Sequence, residues 1–219
     1  MKCPRCVQRI HRAAAACPHC GFSIVDADKR FGGKVVQLRK LIDNAGILRR
    51  TDRERLTEAM ERISRRLPQV FVAIYTGTPG ELSDLRQFGF WLLNRGVFMD
   101  VPADKSNAAG ILITIDPRSK AAGITFGYLL DPFLDESNTF ECLLRGHPYW
   151  LEQRYTDGLV RTLAHLETIL CKRSRHALRH PRAFQRKWQP SAAQAQPALA
   201  PVGQSRHLPE KKKTTGGSP

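Results

Sequence analysis

Long apolar runs are missing from this sequence. Its apolar stretches, such as Ala108–Ile113, stop at six residues, against the roughly 20 that a membrane-spanning helix requires. No transmembrane segment is expected. The opening Met-Lys-Cys-Pro carries no apolar core of a secretory leader. Patterns of the G-x-S-x-G, P-loop and His-Glu-x-x-His kinds are absent, which removes the local signatures of many hydrolases, nucleotide-binding proteins and zinc proteases. There are no internal repeats. Acidic residues are scarce, 20 against 35 Lys and Arg, for a formal charge of +15. That excess is uneven. Residues 172–219 hold eleven Lys and Arg against Glu210 alone, so +10 of the +15 lies there and the preceding 171 residues carry +5. The body therefore has an ordinary mixed surface, and the high isoelectric point says little about its chemistry.

Cysteine is concentrated where it does occur. Four of the six lie in the opening MKCPRCVQRIHRAAAACPHCG, as the pairs Cys3/Cys6 and Cys17/Cys20. A Cys-x-x-Cys turn points two sulfurs the same way, and two such turns facing each other make a tetrahedral cage of four thiolates suited to zinc. Pro4 and Pro18 stiffen the two turns, and Gly21 follows the second, where positive φ is useful. The stretch is too short to bury a core of its own, so metal binding would supply its folding energy. A disulfide pair or a thioredoxin-like redox centre is the alternative, although the βαβ context of the latter is missing. Iron suits the same cage. His11 and His19 are nearby, but Cys3, Cys6, Cys17 and Cys20 complete a shell with no open position, so the metal is expected to be structural. Reduced thiols, with Cys142 and Cys171 outside any pattern, fit a reducing compartment, and the chain is read as cytoplasmic and soluble.

Residues 1–24 are thus expected to form a zinc ribbon and 25–39 a linker and approach helix interrupted at Phe31-Gly32-Gly33. Thr51-x-x-Glu54 reads as a capping box opening a helix that Pro68 ends. Val70–Tyr75 has the length and β-branched content of a buried strand. Thr78-Pro79-Gly80-Glu81 reads as a second capping box before an apolar helical face of Leu85, Phe88, Trp91 and Leu92. Residues 96–107 read as a loop. Gly110–Ile115 and Ala122–Tyr128 are strands joined by Asp116-Pro117-Arg118-Ser119, which predicts a hairpin. A helix is expected over Asp131–Arg145, broken at Gly146-His147-Pro148, and a last helix ends at Cys171 with Leu159, Leu163, Leu166 and Leu170 in register. This order predicts an α/β fold, a small mixed β-sheet covered by helices on both faces. Residues 172–219 form a basic, Ala/Pro/Gln-rich tail, expected to be disordered from about Ser174.

Three stretches resemble one family. LIDNAGILRRTDRERLTEAMERI, GILITIDPRSKAAGITFGYLLDPFLDE and YTDGLVRTLAHLETIL are similar to the opening, central and closing segments of TPM domains, over about residues 40–171. That family includes a thylakoid-lumen acid phosphatase and a photosystem II repair factor. The resemblance implies an α/β/α sandwich, an acidic divalent-cation site in some members and phosphatase activity in a few. This sequence departs from the pattern at Gly127-Tyr128-Leu129, at Ala108-Ala109-Gly110, and at Arg154, which stands where the family has an Asp.

The candidate acidic site is Asp43, in an otherwise apolar turn at the family's acidic position, with Asp131 and Asp135 after the third strand and Asp157 nearby. If Asp43 and Asp135 converge, they could hold Ca2+ or Mg2+, neutralise a phosphate and activate water. The bland alternative is that these carboxylates cap turns and helix starts. His147, between aromatics, reads as packing and turn, and Cys142 and Cys171 as small hydrophobes. Residues 172–188, with Phe184 and Trp188 among basic residues, could meet nucleic acid or an anionic membrane surface. The closed metal shell and the eroded acidic site favour a non-catalytic module that docks on a protein partner. A divalent-metal-dependent phosphatase is the alternative.

Overall fold

The structure, a computed structural model, describes residues 2–11, 14–80 and 84–182. Four strands form the main sheet in the order β2 (Leu41–Asp43), β3 (Phe71–Thr76), β5 (Gly110–Asp116) and β6 (Ala121–Phe126). The first three run parallel, with Leu41 opposite Ile74 and Phe71 opposite Gly110, and β6 is antiparallel to β5 with Ile111 opposite Phe126. β3 and β5 are buried along their whole length, which is why they read as unbroken apolar runs rather than alternating ones.

Side chains on these strands divide by the strand period of two. Val72, Ile74, Ile111, Ile113 and Ile115 face a core built with α2 (Arg50–Arg66), α4 (Glu136–Leu151) and α5 (Tyr155–Arg179). Phe71, Ala73, Tyr75 and Leu112 face a second core built with α1 (Ile24–Phe31), α3 (Leu85–Arg95) and the cysteine turns. Helices thus cover both faces, and the α/β sandwich expected from the sequence is observed. The connections β2–α2–β3 and β3–α3–β5 step the same way across the sheet but place their helices on opposite faces. The two crossovers are therefore of opposite hand, and one departs from the usual right-handed rule.

Several local expectations are corrected. A two-stranded parallel sheet joins β1 (Val36–Leu38), inside the supposed linker, to β4 (Gly96–Phe98), inside the supposed loop; three-residue strands are too short to leave a readable period. The N-cap of helix α2 is Arg49, two residues before the expected Thr51, and Asp52, not Glu54, takes the Arg49 amide, at 3.1 Å. Helix α3 is capped by Asp84, whose carboxylate accepts the Arg86 amide at 2.8 Å, while the Thr78 hydroxyl donates to Asp116 instead; Glu81 lies outside the described residues. Helix α4 runs through Gly146-His147-Pro148 without breaking. The reason is tertiary. Trp150 is buried against the α4–α5 contact, and Gly146 and Gly158 leave the space its indole fills. Helix α5 continues to Arg179, past Cys171 and past Ser174, where the tail was expected to lose order. Residues 183–219, including Phe184 and Trp188, lie outside the described residues, and all described residues fall in one unit spanning Met1–Gln189. None of the described helices is long and apolar enough to cross a membrane.

Candidate metal centre and its surroundings

Each Cys-x-x-Cys turn is closed by its own backbone. Val7 N–H donates to the Cys3 carbonyl at 3.0 Å and Cys3 N–H to Gln8 at 2.9 Å. In the second turn Gly21 N–H donates to Cys17 at 2.9 Å and Cys17 N–H to Phe22 at 2.8 Å. Bridges Lys2–Arg9 and Ala16–Ser23 make the two stretches matching short hairpins. The residue after the second cysteine of each turn has positive φ, 72° at Gly21 and 63° at Val7. Glycine adopts that region freely, whereas a β-branched residue does so under strain.

The four sulfurs converge. Cys3 Sγ and Cys20 Sγ lie 3.7 Å apart, Cys6 Sγ and Cys17 Sγ 3.6 Å, and all four fall within 4.8 Å of one another with no disulfide among them. Metal–sulfur bonds of about 2.3 Å in a tetrahedron put the sulfurs about 3.8 Å apart, so the cage fits a tetrahedral thiophilic ion. Burial raises the Cys17 thiol, but the His19 and Cys20 amides and the Cys6 and Cys20 thiols outweigh it and draw it down to about 6. The Gln8 amide lowers Cys6, yet burial and the three other thiols push it up to about 12. Four thiols this close repel one another once ionised, and a cation among them would offset that repulsion. His11 and His19 are not part of the group.

The cage is not a separate knob. Cys3 and Cys17 are buried in the second core beside Phe22 and Ala27. Phe22 meets Phe90 of α3 with ring centroids 5.8 Å apart, and Phe31 meets Phe88 at 5.4 Å. Trp91 Nε1 donates to the Gly32 carbonyl at 2.8 Å, and Arg95 Nε to Asp28 at 2.9 Å. Lys2 reaches Glu136 at the start of α4. The cysteine cage is one wall of the domain.

The acidic candidates are held apart from such a group. Asp43 ends β2 with its side chain fully buried. It accepts from the Ile47 and Leu48 amides at 3.1 Å each, from the Thr76 hydroxyl at 2.6 Å and from Arg53 at 2.8 Å. Asp135 caps α4 by accepting the Asn138 amide at 2.9 Å and lies 3.5 Å from Arg173. Asp131 follows the turn Tyr128–Leu130. Asp157 is held by Arg55 at 2.9 Å and Arg154 at 3.0 Å, and these two arginines hold its carboxyl below the usual range, Arg55 contributing most. Among the described residues only the four cysteines bring three or more potential ligands within 4.8 Å, so Asp43, Asp131 and Asp135 do not converge on one ion. His147 is exposed on α4. Burial pushes the Cys142 thiol up to about 12, as suits a small hydrophobe.

One acidic residue escaped the sequence reading. Asp116, read as a turn, ends β5 almost fully buried and accepts from Thr78 Oγ1 and Ser119 Oγ, each at 2.6 Å, and from the Arg118 amide at 3.0 Å. Burial raises its pKa, and these donors more than offset it, leaving it low. An Asp at the end of an apolar run was the available signal, since parallel sheets present ligand groups at the carboxyl ends of their strands. Within the basic segment, Arg173 is occupied by Asn138 and Asp135, and Arg175 donates to the Cys171 carbonyl at 3.2 Å.

A cleft of about 540 Å³ opens between the first cysteine turn, the edge strand β6, the start of α3 and the first half of α4. Its walls carry Phe90, Leu134, Phe140 and Leu143, and Phe140 is 60% exposed.

No family model and no curated protein matches the chain. Solved structures similar to it include the following two. The N-terminal domain of a protein from P. gingivalis has 19% identity, with 60% of this chain and 82% of that one covered and a TM-score of 0.47. The BA42 protein of the psychrophilic bacterium Bizionia argentinensis has 11% identity, with 57% and 83% covered and a TM-score of 0.48.

Proposed function

We propose that this chain is a zinc-stapled, TPM-like α/β module that binds partner proteins in the cytoplasm and is not a phosphatase. The carrying observation is how its acidic side chains are used. A two-carboxylate metal site needs oxygens left free to meet an ion and water. Asp43 already accepts four hydrogen bonds, and Asp135 is engaged by a helix start and an arginine. The metal cage has four protein sulfurs and no place for water, so a zinc ion there would be structural. Zinc would tie the cysteine turns to α3 and so shape the cleft beside β6. That cleft, with its exposed apolar wall, is the surface best suited to a protein partner.

The test is metal analysis of the full chain purified without added metal, together with phosphate release from an aryl phosphate in Mg2+, Ca2+, Mn2+ or chelator. One zinc per chain and release equal to that of Asp43→Asn are expected. Metal-dependent turnover abolished by Asp43→Asn would replace this reading with the phosphatase one.

A further inference from the structure

Among the described residues, no strand pairs with the outer edge of β6, beside the cysteine cage. Gly127 N–H donates to the Gly110 carbonyl at 2.9 Å, so residues 127 and 110 are a hydrogen-bonded pair of the β5–β6 ladder. The ladder alternates every second residue. Thr125, Gly123 and Ala121 therefore turn their backbone groups toward β5, and Ala122, Ile124 and Phe126 turn theirs away. No described group pairs with those outward amides and carbonyls. Edge strands are ordinarily blunted by charge, proline or a bulge; β6 reads AAGITF and keeps an unbroken register from Ala121 to Phe126.

The edge lies on the floor of the 540 Å³ cleft, facing the first cysteine turn, a size within the range of specific pockets, roughly 300–1,000 Å³. Phe90, Leu134, Phe140 and Leu143 supply apolar walls. Charge along the cleft is mixed: Asp84, Asp135 and Glu136 cap or open helices there, Asp131 lines it as well, and Lys2, Arg9 and Arg86 are its cations. Lys2 and Arg86 both engage Glu136, whereas Arg9 has no carboxylate partner among the described residues.

We propose that this cleft takes an extended apolar peptide segment of a partner protein as an added strand on β6, with an acidic residue of that segment meeting Arg9. Only another strand satisfies alternate amides and carbonyls along an edge. The apolar walls admit its side chains on either side, and Arg9, which among the described residues has no carboxylate partner, sets the acidic end. The cysteine turn and α4 close the cleft on both sides of the edge, which favours a single inserted segment over the sheet-to-sheet pairing of two copies. Phe90 is also the residue that Phe22 of the second cysteine turn packs on, so the metal centre holds one wall in place. This inference rests on the binding-module reading and names its partner chemistry.

The experiment pans a displayed random dodecapeptide library against the zinc-loaded full chain and, in parallel, against Ala122→Pro. That proline removes an amide pointing away from β5 and leaves the β5–β6 ladder intact. Enriched peptides of alternating β-branched residues with one Asp or Glu are expected. Synthesised and titrated, they should bind Ala122→Pro about tenfold more weakly and Arg9→Gln several-fold more weakly, with thermal unfolding of both variants close to that of the parent. Chelation of the metal should abolish binding. Peptides that bind parent and Ala122→Pro equally would remove β6 from the binding surface while leaving a binding module. No enrichment by either protein would overturn both readings. Self-association lost in Ala122→Pro, measured by sedimentation, would give the edge to a second copy and overturn the peptide reading.

Discussion

Replacing Gly158 by alanine tests the packing that carries α4 through its Gly-His-Pro sequence. On propensity alone the change should help, because alanine in a helix interior is favoured over glycine by about 1 kcal/mol. The surroundings reverse the sign. A Cβ at 158 would stand 2.5 Å from Trp150 Cδ1 and 2.8 Å from the Gly146 carbonyl oxygen. Trp150 is 1% exposed and its indole is flanked by Gly146 as well as Gly158, so neither the ring nor the backbone opposite can retreat without separating the two helices. Overpacking of this kind costs about 1–3 kcal/mol, and contact with both a rigid ring and a backbone atom places it at the upper end. Offset by the propensity gain, the net loss is about 2 kcal/mol. For a chain of this size that lowers Tm by about 4–8 °C. Thermal unfolding followed by near-ultraviolet circular dichroism reads both the loss and the altered tryptophan environment. Adding Trp150→Leu to Gly158→Ala should cost less than the sum of the single changes, since the smaller side chain frees the space the new methyl takes. A Gly158→Ala protein as stable as the parent, or more so, would refute the argument.

Three further outcomes follow from the same geometry. Val7→Gly should stabilise the metal-loaded chain by about 1 kcal/mol, because a β-branched residue at φ 63° is replaced by one that takes that backbone freely; the midpoint of urea unfolding measures it. Asp43→Asn should destabilise by about 2 kcal/mol with or without divalent cations, because a buried acceptor of two amides, a hydroxyl and a guanidinium loses its charge; a loss seen only in added Ca2+ or Mg2+ would point to an ion instead. Arg95 holds the Asp28 carboxyl below its ordinary range, chiefly through a direct hydrogen bond. A depressed folded-state pKa gives stability that is present above the usual aspartate value of about 3.9 and is lost as pH falls below it. Asp28→Asn should therefore flatten the stability–pH curve in that acid range while leaving the metal content unchanged.

The cysteine cage was legible in the sequence because its chemistry is local: two short turns carry all four ligands, and their spacing suffices. The two central strands were legible for a related reason, since burial on both faces leaves an unbroken apolar run. Residues separated in sequence decided the rest. Pairing of Val36–Leu38 with Gly96–Phe98 leaves no period in three residues, and the unbroken α4 depends on Trp150 filling space left by Gly146 and Gly158. Asp43 looked like a candidate ligand because a lone carboxylate among apolar residues has two physical readings. Its chain neighbours do not reveal that Thr76 and Arg53 are already bonded to it. The same holds for the setting of the cysteine cage. The sequence by itself determined that four thiols would converge in a cage able to hold a metal, whereas the tertiary structure alone decided that they stand against α3 and face the edge of β6, because that placement arises from side-chain packing across the sheet.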